Sequence, residues 1–204
     1  MEKKNNILLI TITALLLFSI KWIYSFINFP GEEIILKTIS ESISDSYFHY
    51  VKVLSDLNFN NDYFKITNDY LLLTPIGSMI FHSIAYKFIG IYSFIFLEFI
   101  FIFLFIYLFS TIFSNFDFKS NFHILLSIII FSISLLTLID NDIGHLNNFI
   151  STFFNLRFPR PMVTNIYLFF FLFFLINNYN KEIFSKKNIY ILSLFFSLLI
   201  SSSF

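Results

Sequence analysis

Residues 75–113 read PIGSMIFHSIAYKFIG (75–90) followed directly by IYSFIFLEFIFIFLFIYLFSTIF (91–113). The second run is 23 residues with one charge, Glu98. It has the length of a helix crossing the hydrocarbon layer of a bilayer, about 20 apolar residues. The first run is only 16 residues and holds His82 and Lys87. Whether it also crosses decides on which side of a membrane everything after it lies.

The composition requires a membrane reading for the rest of the chain. Hydrophobic residues make up 57% and charged residues 13%, about half the charge content of a soluble domain, and mean hydropathy is +0.77. There are 33 phenylalanines and 4 glycines. Heavy use of Phe, Ile, Asn and Lys is what an AT-rich genome would give, so the Phe runs read as lipid-facing filler. No cysteine is present, which excludes disulfides and thiolate metal sites. Zero net charge argues against nucleic acid as a partner. The N-terminal apolar run continues past 20 residues with no small-residue cleavage site, so it is expected to remain as an anchor.

Working outward, further spans are expected at about residues 7–29, 122–139, 162–177 and 189–204, besides 91–113. Lys3 and Lys4 place the N-terminus in the cytoplasm. Pro30-Gly31 ends the first span. Residues 30–70 then carry seven acids against three lysines, an external loop by the same rule. If 75–90 crossed, the stretch 177–188 with Lys181, Lys186 and Lys187 would fall outside, against that rule. A segment lying along the outer surface restores agreement. The expected fold is therefore an all-α integral membrane protein with about five transmembrane helices. External loops cover 30–90 and 140–161, and the first contains amphipathic juxtamembrane helices. The last span closes on Ser-Ser-Ser-Phe, which reads as a chain truncated at its C-terminus.

Four constellations carry chemistry. Glu41, Asp45, His49, Lys52 and Asp56 fall inside about an 80° arc of a helical wheel, with Ile43, Tyr47, Tyr50, Val51, Leu54 and Leu57 over much of the remainder. Carboxylates and an imidazole on one helix face suit a divalent cation or acid–base work; a solvated face of an interfacial helix looks the same. Asp140-Asn141-Asp142, with His145 nearby, puts two acids within reach of a hard cation, or simply marks a helix end. Arg157-Phe158-Pro159-Arg160-Pro161 holds the only two arginines, beside a helix that Pro161 is expected to begin. Guanidinium forks and a helix N-terminus both favour phosphate, with Thr164 and Asn165 one turn on as further donors; an anchor pairing with lipid headgroups is the alternative. Finally, Lys21 and Glu98 lie at similar depth in the first two spans and are expected to pair.

In this order the motifs resemble the N-terminal part of GT-C superfamily membrane glycosyltransferases, such as oligosaccharyltransferase catalytic subunits and lipid A aminoarabinose transferases. Asp45-Ser46-Tyr47-Phe48-His49-Tyr50 is similar to the acidic motif and helix of the family's first external loop. Pro75-Ile76-Gly77 through Phe88-Ile89-Gly90 is similar to its surface helix, and Asp140-Asn141-Asp142 to the D-x-D motif opening the second loop. The resemblance implies transfer of a hexose or pentose from a polyprenyl-phosphate-linked donor to a glycan, lipid or protein acceptor, at the outer face of a bacterial cytoplasmic (inner) membrane, for the cell envelope. It implies Asp45 as a metal ligand or acceptor-activating acid, and Asp140 and Asp142 as ligands of Mg or Mn. His49 is the second candidate base. Arg157 and Arg160 match no family motif, and their phosphate role rests on physical grounds. The first loop has one acid where the family has an adjacent pair. Later spans and a C-terminal domain are missing, so the 204-residue chain by itself is expected to be inactive. A transporter or flippase of lipid-linked intermediates, or a non-catalytic structural membrane protein, are the alternatives.

Overall fold

The computed structural model describes residues 2–28, 45–57, 76–115, 122–139, 162–178 and 185–203. Within these, the side chains of residues 2–5, 21, 24, 25, 28, 45–47, 49, 131–139 and 203 lie outside the description. Every described element is a helix: α1 (Glu2–Asn28), α2 (Asp45–Asp56), α3 (Ile76–Ile89), α4 (Tyr92–Ser114), α5 (Phe122–Ile139), α6 (Met162–Asn178) and α7 (Lys186–Ser203). The chain is all-helical among the described residues. One helix there, Tyr92–Ser114, is both long and apolar enough to cross a membrane; Asn6–Ile20, Ile76–Ile89 and Met162–Asn178 are apolar but shorter.

The helix ends follow local chemistry. Gly90 sits at φ +59°, where a side chain would be strained. Its N–H closes α3 on the Tyr86 carbonyl at 2.8 Å, and its carbonyl accepts the Ser93 N–H at 3.0 Å to open α4. At the far end Asn115 caps α4, its N–H donating to the Ile112 carbonyl and its side-chain amide to the Thr111 carbonyl. α6 starts at Met162, directly after Pro161, where a proline is expected to precede a helix.

α4 is the hub, packing against α1, α3, α5 and α6. It is apolar around its whole circumference, as a helix surrounded by others must be. Several phenylalanines are core residues. Phe94, Phe101, Phe105 and Phe109 of α4 and Phe169 of α6 are all buried. Phe169 meets Phe105 and Phe109 edge-on at 5.2 and 5.5 Å between centroids, the T-shaped geometry that ring quadrupoles favour. Phe96 and Phe122 are exposed. The expectation of Phe as lipid-facing filler therefore fails for the core rings. Interior packing between two featureless apolar helices needs large rigid side chains, and phenylalanine supplies them.

α6 and α7 form an antiparallel hairpin. Thr164 Oγ1 donates to the Ser202 carbonyl at 3.0 Å, while Phe170 stacks on Phe195 further along. The sequence places α3 flat across the top of α4, but α3 does not leave α4 at a right angle. Phe81 and Phe101 stand ten residues either side of Ile91, so a square corner would put them about 21 Å apart at 1.5 Å per residue. Their rings are 6.3 Å apart, and His82 lies 5.3 Å from Phe94 and 5.8 Å from Phe101. α3 thus doubles back along α4 at an acute angle. Its far end is held by Tyr167 of α6, whose hydroxyl donates to the Gly77 carbonyl at 2.8 Å, and by α7, against which Gly77 packs.

Candidate functional site on the first loop helix

The polar stripe expected on residues 41–56 is carried by α2, which begins at Asp45. An acid in the first turn is favoured there by the free N–H groups and the helix dipole. Helical geometry places Asp45, His49, Lys52 and Asp56 on one face. Lys52 and Asp56 are exposed, while Tyr50, Val51, Val53 and Ser55 are buried. The helix is therefore amphipathic, as its sequence pattern requires. It docks through Phe48, whose ring lies 5.9 Å from Tyr86 of α3 and 6.1 Å from Phe94 of α4. This fixes α2 beside the first turn of α4 and the last turn of α3, with the Lys52–Asp56 face turned outward.

The side chains of Asp45 and His49 are outside the described set, as are Glu41, Asp140, Asp142, Arg157 and Arg160 altogether. Among the described residues no group of three or more His, Cys, Asp or Glu side chains gathers as a cation site would require. Of the extra donors expected beside Arg160, Thr164 bonds the Ser202 carbonyl, and it serves the α6–α7 junction. The first turn of α6 is buried at Met162 and Val163.

Glu98 is 5% exposed, inside the bundle as expected. Its Oε2 accepts a 3.0 Å hydrogen bond from Trp22 Nε1, so it is tied to α1. The partner expected from the sequence is the neighbouring Lys21, whose side chain lies outside the description. The tryptophan was legible as the only one in the chain; a polar handle on a large apolar ring is well suited to a buried carboxylate. Replacing Trp22 by Phe keeps the packing and removes the donor. We expect a loss of about 1 kcal/mol, the net worth of one hydrogen bond. Unfolding midpoints in detergent check this; a Trp22→Phe protein as stable as the parent refutes it.

Sequence reasoning named Gly77 and His82 only as parts of the 75–90 segment, and did not foresee that Ser78, His82 and Ser83 are buried. Comparison with family models, with curated proteins and with solved structures finds no match.

Proposed function

We propose that this chain belongs to a membrane glycosyltransferase of the GT-C type, moving a sugar from a polyprenyl-phosphate donor to an acceptor at the outer membrane face. The observation that carries the reading is the docking of α2. An amphipathic helix that opens on Asp45 is seated by Phe48 on the α3–α4 corner, its exposed charges turned away from the bundle. The element order supports the same reading: an apolar first helix, an acid-led loop helix, a short apolar helix closing on Gly90, then the long apolar helix. The bilayer reading draws on exposed apolar side chains from Ile7 to Ile27 along α1, a band of about 30 Å that matches the hydrocarbon thickness.

In the proposed reaction an acceptor oxygen or nitrogen attacks the anomeric carbon. The bond from that carbon to the phosphate oxygen breaks, and the acceptor's proton passes to Asp45, or to His49, whose unperturbed pKa lies near neutrality. Arg157 and Arg160 hold the departing phosphate. Asp45, Asp140 and Asp142 offer the hard oxygen donors that Mg or Mn takes, and such a cation would neutralise the leaving group. Apart from Lys21 and Glu98 the expected spans carry no Asp, Glu, Lys or Arg, which weighs against a transporter.

Asp45→Ala and Arg160→Ala, each made in the longest form of the protein that transfers sugar, are expected to cut transfer at least tenfold with membrane insertion unchanged. Unchanged transfer in both variants overturns the roles given to Asp45 and Arg160, and absence of transfer by the full-length parent overturns the glycosyltransferase reading.

A further inference from the structure

The polarity of α3 is inverted relative to a helix in water. Its small and polar residues, Gly77, Ser78, His82 and Ser83, face the protein together with Met79, while Ile76, Ile80, Ile84 and Phe88 face out, Ile84 at 56% and Phe88 at 80% exposure. In water such a helix would turn over, since large apolar side chains gain most from burial. In hydrocarbon the driving force disappears, and small and polar residues collect at helix–helix contacts. The one charge on α3, Lys87, sits at the Gly90 end, where its long stem lets the ammonium reach the headgroups. The other end is tied by Tyr167, five residues inside α6, and packed on Ser201 and Ser202 of α7.

We infer that α3 is a re-entrant half-helix: its Ile76–Ile80 end is sunk in the acyl region of the outer leaflet, its Gly90 end rises to the interface, and its Ile80/Ile84/Phe88 stripe contacts lipid chains. This rests on the membrane reading above and replaces the flat surface helix expected from the sequence. The acute fold along α4 requires it once α4 spans. At about 1.5 Å per residue, Ile80 lies about 15 Å down the helix from Gly90. A helix that stays within the outer leaflet adds no crossing, so the lysines of 181–187 stay cytoplasmic.

The chain lacks cysteine, so single-cysteine variants can be labelled without background. Ile80→Cys, Phe88→Cys, Lys52→Cys and Leu16→Cys are each labelled with bimane and reconstituted in phosphatidylcholine/phosphatidylglycerol vesicles containing lipid with a quencher at acyl carbon 5 or 12. The expected result is a gradient: the Ile80 label is quenched at least twofold more by the deep quencher than by the shallow one, Phe88 shows the reverse order, and Lys52 is quenched by neither. Equal, shallow quenching at Ile80 and Phe88 means a flat helix and overturns the inference while Leu16, on the outer face of α1, remains deep. Loss of quenching at Leu16 as well overturns the membrane reading and this inference with it.

Discussion

Leucine at position 77 is expected to break the junction of α3 with α6 and α7, with a larger loss of stability than any other single change on α3. A Cβ at Gly77 would overlap Ser201 Oγ and stand 3.0 Å from the backbone of Ser201 and Ser202. The hydroxyl can turn aside; the backbone of a helix cannot. Alanine should therefore cost about 1–3 kcal/mol, the range for overpacking a tight site, and leucine more, because its extra atoms have nowhere to go without parting the helices. The Tyr167 bond to the Gly77 carbonyl would be lost as they part. Ser201→Ala should restore only part of the Gly77→Ala loss, since the backbone contacts remain. Gly90 is the internal control. It has φ +59°, but a Cβ there would meet nothing within 4 Å, so Gly90→Ala should cost about 1 kcal/mol from conformation alone. Unfolding curves in one detergent rank these variants. A Gly77→Ala protein as stable as the parent, or less affected than Gly90→Ala, would show that α3 and α7 are not in contact.

Phe105→Ala is the second large effect. Phe105 is wholly buried and touches both Phe109 and Phe169. Truncation removes the ring and leaves a cavity between α4 and α6, a change that costs about 3–5 kcal/mol in well-packed cores. Phe96, on the same helix but 57% exposed, should change stability by no more than about 0.5 kcal/mol when truncated. The pair of rings can be tested directly: a cycle of Phe105→Ala, Phe169→Ala and the double variant should show a coupling of about 0.5–1.5 kcal/mol. Equal losses at Phe96 and Phe105 would mean that α4 does not present these faces as described.

Much of the helical framework was legible along the chain. The span at 122–139 coincides with α5, and those at 91–113 and 162–177 differ from α4 and α6 by one residue at each shifted end. The start of α6 after Pro161 and the corner at Gly90 follow from residues on the spot, because a proline's fixed φ and a glycine's freedom act locally. The outward face of α2 was equally visible, since an amphipathic helix points its apolar side at whatever it packs on. Depth identified the turn of α1 that faces Glu98, and Trp22, beside the expected Lys21, bonds the acid there; the Lys21 side chain lies outside the described residues. The phosphate and metal candidates, Arg157, Arg160, Asp140 and Asp142, rest on sequence and proposal.

By itself the sequence determined that the described residues are helical, the limits of the three middle apolar helices and the outward Lys52–Asp56 face of α2, for these depend on run length, periodicity and breaking residues. Only the tertiary structure decided which phenylalanines are core and how α3 lies. A helix that is apolar on every side has no preferred face until neighbours choose one. The angle at Gly90 is likewise set by Tyr167, Ser201 and Ser202, which hold Gly77 from about 90 to 125 positions further along the chain.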